Sequence, residues 1–442
     1  MTDTRPRCAL ITLGCPKNLV DAEAMAVVLR DAGWATASRA DDADVIIVNT
    51  CGFIQPAVAE SMDAIRELAA AKRPGQRLIV AGCLAERSAG AIVQAAPAVD
   101  AVLGTLRWAE IAEVLRLPAQ TEPRILTGPG SARPTIDRVA TGSSAYIKIS
   151  EGCDAACAFC TIPTIKGGQI SRPMAALVAE AAELARRGVH ELVLIGQDTT
   201  SYGRDLGLDD GLATLLGAIC DAIPEHLWLR CMYAYPTRLS DRLLATMRER
   251  PQLVEYLDMP LQHSHPDVLG RMGRPRGDAL RLLDRVRTAV PEVAIRSTFI
   301  VGFPGETDAE FEHLLAFLRT ARLDRVGIFE FSSEPGTPAA VMPNQVPGEV
   351  MRERAQQVAA LQEELSRQAL RALVGTEMPV LIEGAVERPG RNRGCTVVGR
   401  SRRDAPEVDG LVYVREPVRS PAFVRVRIDS SSAHDLYGHV SG

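Results

Sequence analysis

Three apolar runs near the start of the chain each end beside a cysteine, and this pattern narrows the fold more than any other feature. Cys8–Leu13 leads to Gly14-Cys15, Val45–Thr50 to Cys51-Gly52, and Leu78–Ala81 to Gly82-Cys83. Helical patterns fall between and after them, near Leu19–Ala32, Ala57–Ala71 and Ala85–Ala96. Repeats of roughly 35 residues hold one strand and one helix each, which implies a parallel sheet with right-handed crossovers. Every cysteine then lies at the C-terminal edge of its strand, where open parallel sheets bind ligands. The trio reads either as three buried thiols, since free cysteine is often buried, or as ligands of one metal centre. The glycine beside each favours the second, because it lets the backbone approach the site. Val99–Gly104 reads as a further strand and Arg107–Leu117 as a helix, completing a first segment of residues 1–117.

Pro118, Pro123, Pro129 and Pro134, with Gly128, Gly130 and Gly142, mark residues 118–142 as a linker rather than an element. The alternation then resumes with strands at Ala145–Ile149, Glu191–Ile195, Leu227–Met232, Val254–Asp258, Ala294–Ile300 and Arg325–Phe331. Helical patterns lie between them, and a long charged helix, Glu349–Val374, ends the segment 143–374. Six βα units predict a partial (β/α)6 barrel of the TIM type, with function at the C-terminal strand ends. The overall class is therefore α/β.

Glu151–Cys160 directly follows the first of these strands and brings Cys153, Cys157 and Cys160 into one short loop. Thiolates suit iron–sulfur clusters and zinc. A structural zinc needs a fourth protein ligand, and the next candidates, Cys220 and His190, are distant in sequence. A four-iron cluster held by three thiolates has one iron left for another ligand.

Other strand ends point to the same mouth: Gly196–Thr200 with Gln197 and Asp198, Tyr233–Pro236, and Asp258–His263 with Gln262. Val301–Thr307, with Gly302, Pro304 and Gly305, opens a helix, so its amides are expected to face a ligand's polar groups. Asp198 and Gln262 taken singly read equally as cap or loop residues. His263 and His265 read as ordinary loop histidines, and Cys220, Cys231 and Cys395 as core or surface cysteines.

After Gly375 the pattern shortens to β runs at Pro379–Glu383, Cys395–Gly399, Gly410–Val414 and Ala422–Ile428. Residues 375–442 therefore form a small antiparallel β-barrel, OB-like, of a kind that often handles nucleic acid. Arg388, Arg391, Arg393, Arg400, Arg402 and Arg403 crowd two of its loops. They read either as a phosphate-contacting patch or as solvated surface, and aromatic platforms are sparse.

At 442 residues the chain needs two or three cores. Its net charge of −5 excludes a generally basic nucleic-acid-binding body. No apolar run approaches the ~20 residues of a membrane span, and the N-terminus has no signal-peptide core. A cytoplasmic protein is expected, in which ten cysteines serve as ligands or core residues rather than disulfides.

The Cys153–Cys157–Cys160 loop resembles the signature of the radical S-adenosylmethionine (SAM) enzymes, a Cys-x3-Cys-x2-Cys loop with an aromatic residue, here Phe159, before its last cysteine. The order of parts is similar to the methylthiotransferases of that superfamily, which end in a TRAM β-barrel. Leu13–Asp21, Asn49–Ile54, Gln197–Gly203 and Ala405–Gly410 look like the branch that modifies an aspartate of ribosomal protein S-twelve. The tRNA-modifying branch usually has Gln-Met where this chain has Pro16-Lys17. One departure is the balance in residues 376–439, ten Arg against nine acidic residues, where that branch is often acidic.

The resemblance implies two 4Fe-4S clusters. Cys153, Cys157 and Cys160 would hold the one that binds SAM, and Cys15, Cys51 and Cys83 the auxiliary one. Phe159, Gly302, Pro304 and Gly305 would line the SAM pocket, with Gln197 and Gln262 as polar contacts. The implied reaction places a methylthio group on the β-carbon of that aspartate, with SAM as both radical source and methyl donor. Its C–H bond is too weakly acidic for a general base, so a cofactor radical is required. A sulfur donor, and a reductant such as flavodoxin or ferredoxin, are implied partners, and RNA contact through the TRAM domain is a further possibility. The alternatives are a tRNA adenosine methylthiotransferase and a non-catalytic metal-cluster protein that binds RNA.

Overall fold

The computed structural model describes residues 5–118, 122–130, 138, 142–386 and 393–441. Pro134, Arg388 and Arg391, singled out above, lie outside them.

The first alternation builds β1 (Arg7–Thr12), α1 (Pro16–Asp31), β2 (Ala35–Thr36), β3 (Val45–Thr50), α2 (Gln55–Ala71), β4 (Arg77–Gly82), α3 (Cys83–Ala95), β5 (Ala101–Gly104), α4 (Ile111–Arg116) and β6 (Arg124–Leu126). The strands form one parallel sheet in the order β2-β1-β3-β4-β5-β6. β3 is buried along its whole length, as its unbroken Val/Ile run requires of a strand covered on both faces. β6 corrects the linker expectation: within 118–142, Arg124–Leu126 adds an edge strand in register with Ala101–Leu103. A three-residue edge strand carries too little pattern to stand out among prolines.

The middle of the chain gives β7 (Ser144–Lys148), β8 (Ser150–Glu151), α5 (Ile162–Lys166), β9 (Ile170–Ser171), α6 (Met174–Arg186), β10 (Glu191–Ile195), α7 (Gly211–Ala222), β11 (Trp228–Cys231), α8 (Asp241–Glu249), β12 (Tyr256–Asp258), α9 (Pro266–Arg271), α10 (Ala279–Ala289), β13 (Ala294–Val301), α11 (Asp308–Ala321), β14 (Arg325–Glu330) and α12 (Gly348–Arg371). The ladders β7-β10-β11 and β12-β13-β14 meet at a parallel bridge, Leu229 to Leu253. Six strands thus curve into an open barrel. Alternate residues serve two cores: Ile147, Leu192, Leu194, Leu229 and Ile295 pack under the helices. Tyr146, Val193, Ile195, Trp228 and Tyr256 fill the interior.

β15 (Glu377–Ala385), β16 (Val397–Ser401), β17 (Val412–Val414), β18 (Ala422–Ser431) and β19 (Leu436–Val440) close into a barrel in the order β15-β16-β17-β19-β18. This small barrel plugs the larger one, with Leu381 and Ala405 joining the interior core and Phe423 packing on Trp228.

Arg400, Arg402 and Arg403 are part of the same joint, which corrects both readings for these three. Arg400 is buried against Glu191 and Glu383, Arg402 pairs with Glu255, and Arg403 donates to Asp324 at 2.5 Å. These three are spent on holding two domains together. No helix among the described residues is long and apolar enough to cross a membrane.

Candidate active site: two cysteine trios at a domain junction

The first trio is assembled by strand-to-helix turns. Cys15 caps α1, which starts on Pro16, and Cys83 opens α3. Cys51 follows β3, with its N–H bonded to Ser61 Oγ at 3.1 Å. Asn18 is the hub of these turns. Its Nδ2 donates to the Leu13 and Thr50 carbonyls, both at 2.9 Å, and its Oδ1 accepts from Cys83 Sγ at 3.8 Å. The glycines permit the crowding: a Cβ on Gly14, at φ +91°, would lie 2.5 Å from Cys51 Cβ, and one on Gly52 2.8 Å from the Leu84 backbone. The three thiols therefore converge from separate turns.

The second trio sits on a loop pinned at both ends. Cys153 N–H donates to the Gly167 carbonyl at 3.1 Å, and Gln169 N–H to Asp154 at 3.0 Å. Ala158 N–H donates to the Met272 carbonyl at 2.8 Å, and Gly273 lacks the Cβ that would lie 2.5 Å from the Ala156 oxygen. Arg274 stacks on Tyr235 and lies 3.7 Å from Cys157 Sγ. Phe159 packs edge-on against Phe303, which in turn meets Phe331.

Each trio differs in its electrostatics. Burial pushes the Cys83 and Cys160 thiols up to about 12. Cys15 goes the other way: burial raises it, but Lys17, the Asn18 N–H and Lys166 together bring it below the ordinary value.

Four-iron clusters fit these donor sets better than single ions. A tetrahedral zinc with Zn–S near 2.3 Å holds its sulfurs roughly 3.8 Å apart, whereas a cube spreads them over separate irons. Among the described residues, neither cysteine trio brings its three sulfurs within 4.8 Å of one another. The group that does meet that limit, His265, Asp267 and Glu310, is engaged elsewhere, since Arg271 takes both Glu310 oxygens at 3.0 and 2.9 Å. His263 and His265 are structural: His263 accepts from the His265 N–H, and His265 caps α9.

The loops that carry the two trios meet at one seam between the domains. Lys17 lies over the Tyr233 ring at 3.7 Å, Thr161 Oγ1 donates to the Phe53 carbonyl at 3.2 Å, and Lys148 pairs with Asp21. Glu334, beyond β14, accepts from the Gln55 N–H at 2.8 Å and pairs with Arg87. Between the domains lies a cavity of about 170 Å³ walled by Phe53, Ile54, Phe159, Gln262, Thr298, Ile300 and residues 329–332. Gln262, held at φ +71°, has its Oε1 buried without a hydrogen-bond partner among the described residues.

Gln197, two residues past the end of β10, is half-buried and does not line that cavity. The segment with Gly302, Pro304 and Gly305 is a correction, because its amides turn inward. Gly302 and Phe303 N–H donate to Glu306, and Gly305 N–H to the Asn344 carbonyl at 2.8 Å. Met351 occupies the space a Cβ on Gly302 would need, and Pro304 is buried beside it. An acidic residue a few positions past a glycine pair was the available signal for this self-capping loop. Asn18, Lys148, Lys166 and Glu334 were not singled out. Lys148 alone carried a mark, a charge on the inward side of an apolar alternation.

Fold and site together define a radical SAM enzyme with a second, thiol-bearing α/β domain. Family models agree segment by segment: the uncharacterized protein family UPF0004 over residues 7–104, the Radical SAM superfamily over 147–318 and the TRAM domain over 374–440. The open barrel with its flanking domain is similar to the radical SAM methyltransferase TsrM of Kitasatospora setae, at TM-score 0.56 and 15% identity over 76% of this chain and 77% of that one. Among curated proteins, the chain is 48% identical to the ribosomal protein uS12 methylthiotransferase RimO of Roseiflexus castenholzii, over 98% of this chain and 96% of the relative. It is 47% identical to the protein of that name from Chloroflexus aurantiacus, over 97% and 98%. The chain belongs to the RimO family of radical SAM methylthiotransferases.

Proposed function

We propose that this enzyme adds a methylthio group to the β-carbon of an aspartate in ribosomal protein uS12, in the cytoplasm. Cys153, Cys157 and Cys160 hold a SAM-binding 4Fe-4S cluster, and Cys15, Cys51 and Cys83 hold an auxiliary one. When bound, these groups supply a carbon-centred radical that can take an unactivated hydrogen, and the sulfur that replaces it.

The observation that carries this reading is the shared wall. Phe53, two residues past Cys51, and Phe159, between Cys157 and Cys160, face one cavity. The cavity thus lies between the loops that carry the two trios, so proximity is built into the domain junction. Phe159, Phe303 and Phe331 keep water from that wall, which protects a reactive intermediate from side reactions. Gln262 Oε1 offers the cavity a hydrogen-bond acceptor with no partner among the described residues. Arg274, beside Cys157, compensates negative charge gathered on the second trio. A sulfur donor and a reductant of the flavodoxin or ferredoxin class complete the reaction.

The test is mass spectrometry of uS12 and of tRNA adenosines after each is incubated with reconstituted enzyme, SAM and reductant. A methylthio adduct on the uS12 aspartate supports the proposal. An adduct on tRNA, with uS12 unmodified, replaces it.

A further inference from the structure

An open barrel has two marginal strands, and in this chain they differ. β7 is covered: Arg138 Nη2 donates to the Tyr146 carbonyl at 2.6 Å, and α1 packs along the strand. β14 is open, since among the described residues it pairs with β13 alone. Its Phe331 end fixes the register of the ladder, with the Phe331 N–H on the Val301 carbonyl at 2.9 Å. The Arg296 and Thr298 carbonyls turn the other way, to the Met259 and Gln262 N–H. Odd-numbered residues of β14 therefore bond β13, and Val326, Ile328 and Glu330 turn their N–H and C=O groups to the free side. Those groups have no hydrogen-bond partner among the described residues. Sheet edges are normally blunted by lysine, proline or a bulge, and β14, Arg-Val-Gly-Ile-Phe-Glu, has none of these.

A groove runs beside this edge. Residues 325–328 wall a cavity of about 490 Å³ whose far side is α12 and the small barrel, with Gln362, Leu411 and Tyr413. The next four residues, 329–332, wall the cavity between the loops of the two trios. One strand thus leads from the small barrel to the proposed reaction site. In the larger cavity Arg325 Nε and Asp409 Oδ1 are buried without a hydrogen-bond partner among the described residues, although Arg296 Nε stands 3.5 Å from the latter. They are one donor and one acceptor, which is what a peptide group satisfies. The guanidiniums on these walls are already committed, Arg296 to Asp258 and Arg325 to Asp404, and carboxylates outnumber them. At the far end Phe53 and Phe329 are 37% and 49% exposed, and exposed aromatics serve as anchors in protein interfaces.

We propose that β14 is the docking edge for the protein substrate. An extended, basic segment of that protein adds as a further strand along Val326, Ile328 and Glu330, and its continuation enters the cavity between the trios. The inference rests on reading the substrate as a protein. Backbone pairing supplies affinity whatever the sequence, and the cavities beside the strand select side chains. A groove rich in carboxylates repels phosphates, which disfavours a nucleic-acid strand in the same place.

The experiment uses the full, reconstituted chain with purified uS12 as the probe. Amide hydrogen exchange is followed across β14 with and without uS12. KM and kcat for methylthio transfer are measured for the parent, Val326→Ala and Val326→Pro. Alanine trims the side chain and keeps the N–H, whereas proline removes an outward N–H, a change that edge strands tolerate. Iron content and thermal melting are the folding controls.

The expected result is slower exchange at Val326, Ile328 and Glu330 when uS12 is added, with KM for uS12 raised about tenfold by Val326→Pro and little by Val326→Ala. Methylthiolation of uS12 with these amides unprotected overturns the inference and leaves the proposed function standing. A folded Val326→Pro protein with the parental KM does the same. If that variant does not fold, the exchange measurement decides alone. A parent that modifies tRNA and not uS12 overturns the proposed function, and the inference with it.

Discussion

Arg87 and Glu334 meet at 2.8 Å across the seam between the first domain and the barrel. Glu334 also accepts from the Gln55 N–H at 2.8 Å and its amide at 3.1 Å, so one buried carboxylate gathers the starts of two helices. Removing one partner of such a pair costs about 3–5 kcal/mol where the other charge stays buried. Glu334→Ala is expected to loosen domain docking more than the fold of either domain. On the proposed function, radical generation needs only the barrel, whereas sulfur transfer needs both trios in register. The ratio of 5′-deoxyadenosine to methylthio product should rise about tenfold, which corresponds to ~1.4 kcal/mol of lost positioning. An unchanged ratio would deny the clasp its role.

On the proposed function the trios divide the reaction, and single substitutions separate the parts. Cys157→Ala should abolish deoxyadenosine formation from SAM. Cys51→Ala should keep SAM cleavage and block methylthio transfer. Iron analysis, together with the mass of uS12, checks both. Methylthio product from the Cys51 variant would reverse the assignment.

Gly14 tests the packing of the first trio without touching a ligand. Its φ of +91° costs an ordinary residue about 1–2 kcal/mol, and an added Cβ would lie 2.5 Å from Cys51 Cβ. Gly14→Ala should therefore lower the iron content by the share of the first trio and leave the second trio's cluster in place. Iron per chain, measured in the presence and absence of Cys157→Ala, reads this directly.

The sequence made the strands legible wherever a Val/Ile run was long, and β3 and β10 fall on the expected residues, Val45–Thr50 and Glu191–Ile195. The placement of Cys15, Cys51 and Cys83 at strand-to-helix turns was legible because it repeats once per βα unit. What stayed hidden depends on contacts between domains. Arg400, Arg402 and Arg403 look like a surface patch until Glu191, Glu255 and Asp324 are brought opposite them. The Gly302–Gly305 amides look free until Glu306 folds back on them. Lys166 has no meaning in sequence, because its partner Glu151 on β8 reaches Asp21 of the first domain only through Lys148.

Glu191 joins the two barrels, and its ionisation sets an acid limit on that joint. It is fully buried, with Arg230 at 2.8 Å and Arg400 at 2.6 Å. Burial would raise its pKa, but the two guanidiniums outweigh burial and hold the carboxyl down at about 2, against an ordinary 4.5. A depressed pKa in the folded state means stability that is complete above about pH 4.5 and lost as pH falls toward 2. The apo chain should accordingly melt at progressively lower temperature across that window. Glu191→Gln should remove this part of the slope and cost about 3–5 kcal/mol at neutral pH. Most of that cost falls on Arg230, which among the described residues keeps the Arg402 carbonyl and the face of Tyr256, while Arg400 retains Glu383. Thermal melts of both proteins between about pH 7 and 3 provide the check. A variant with the parental slope would place the acid sensitivity elsewhere.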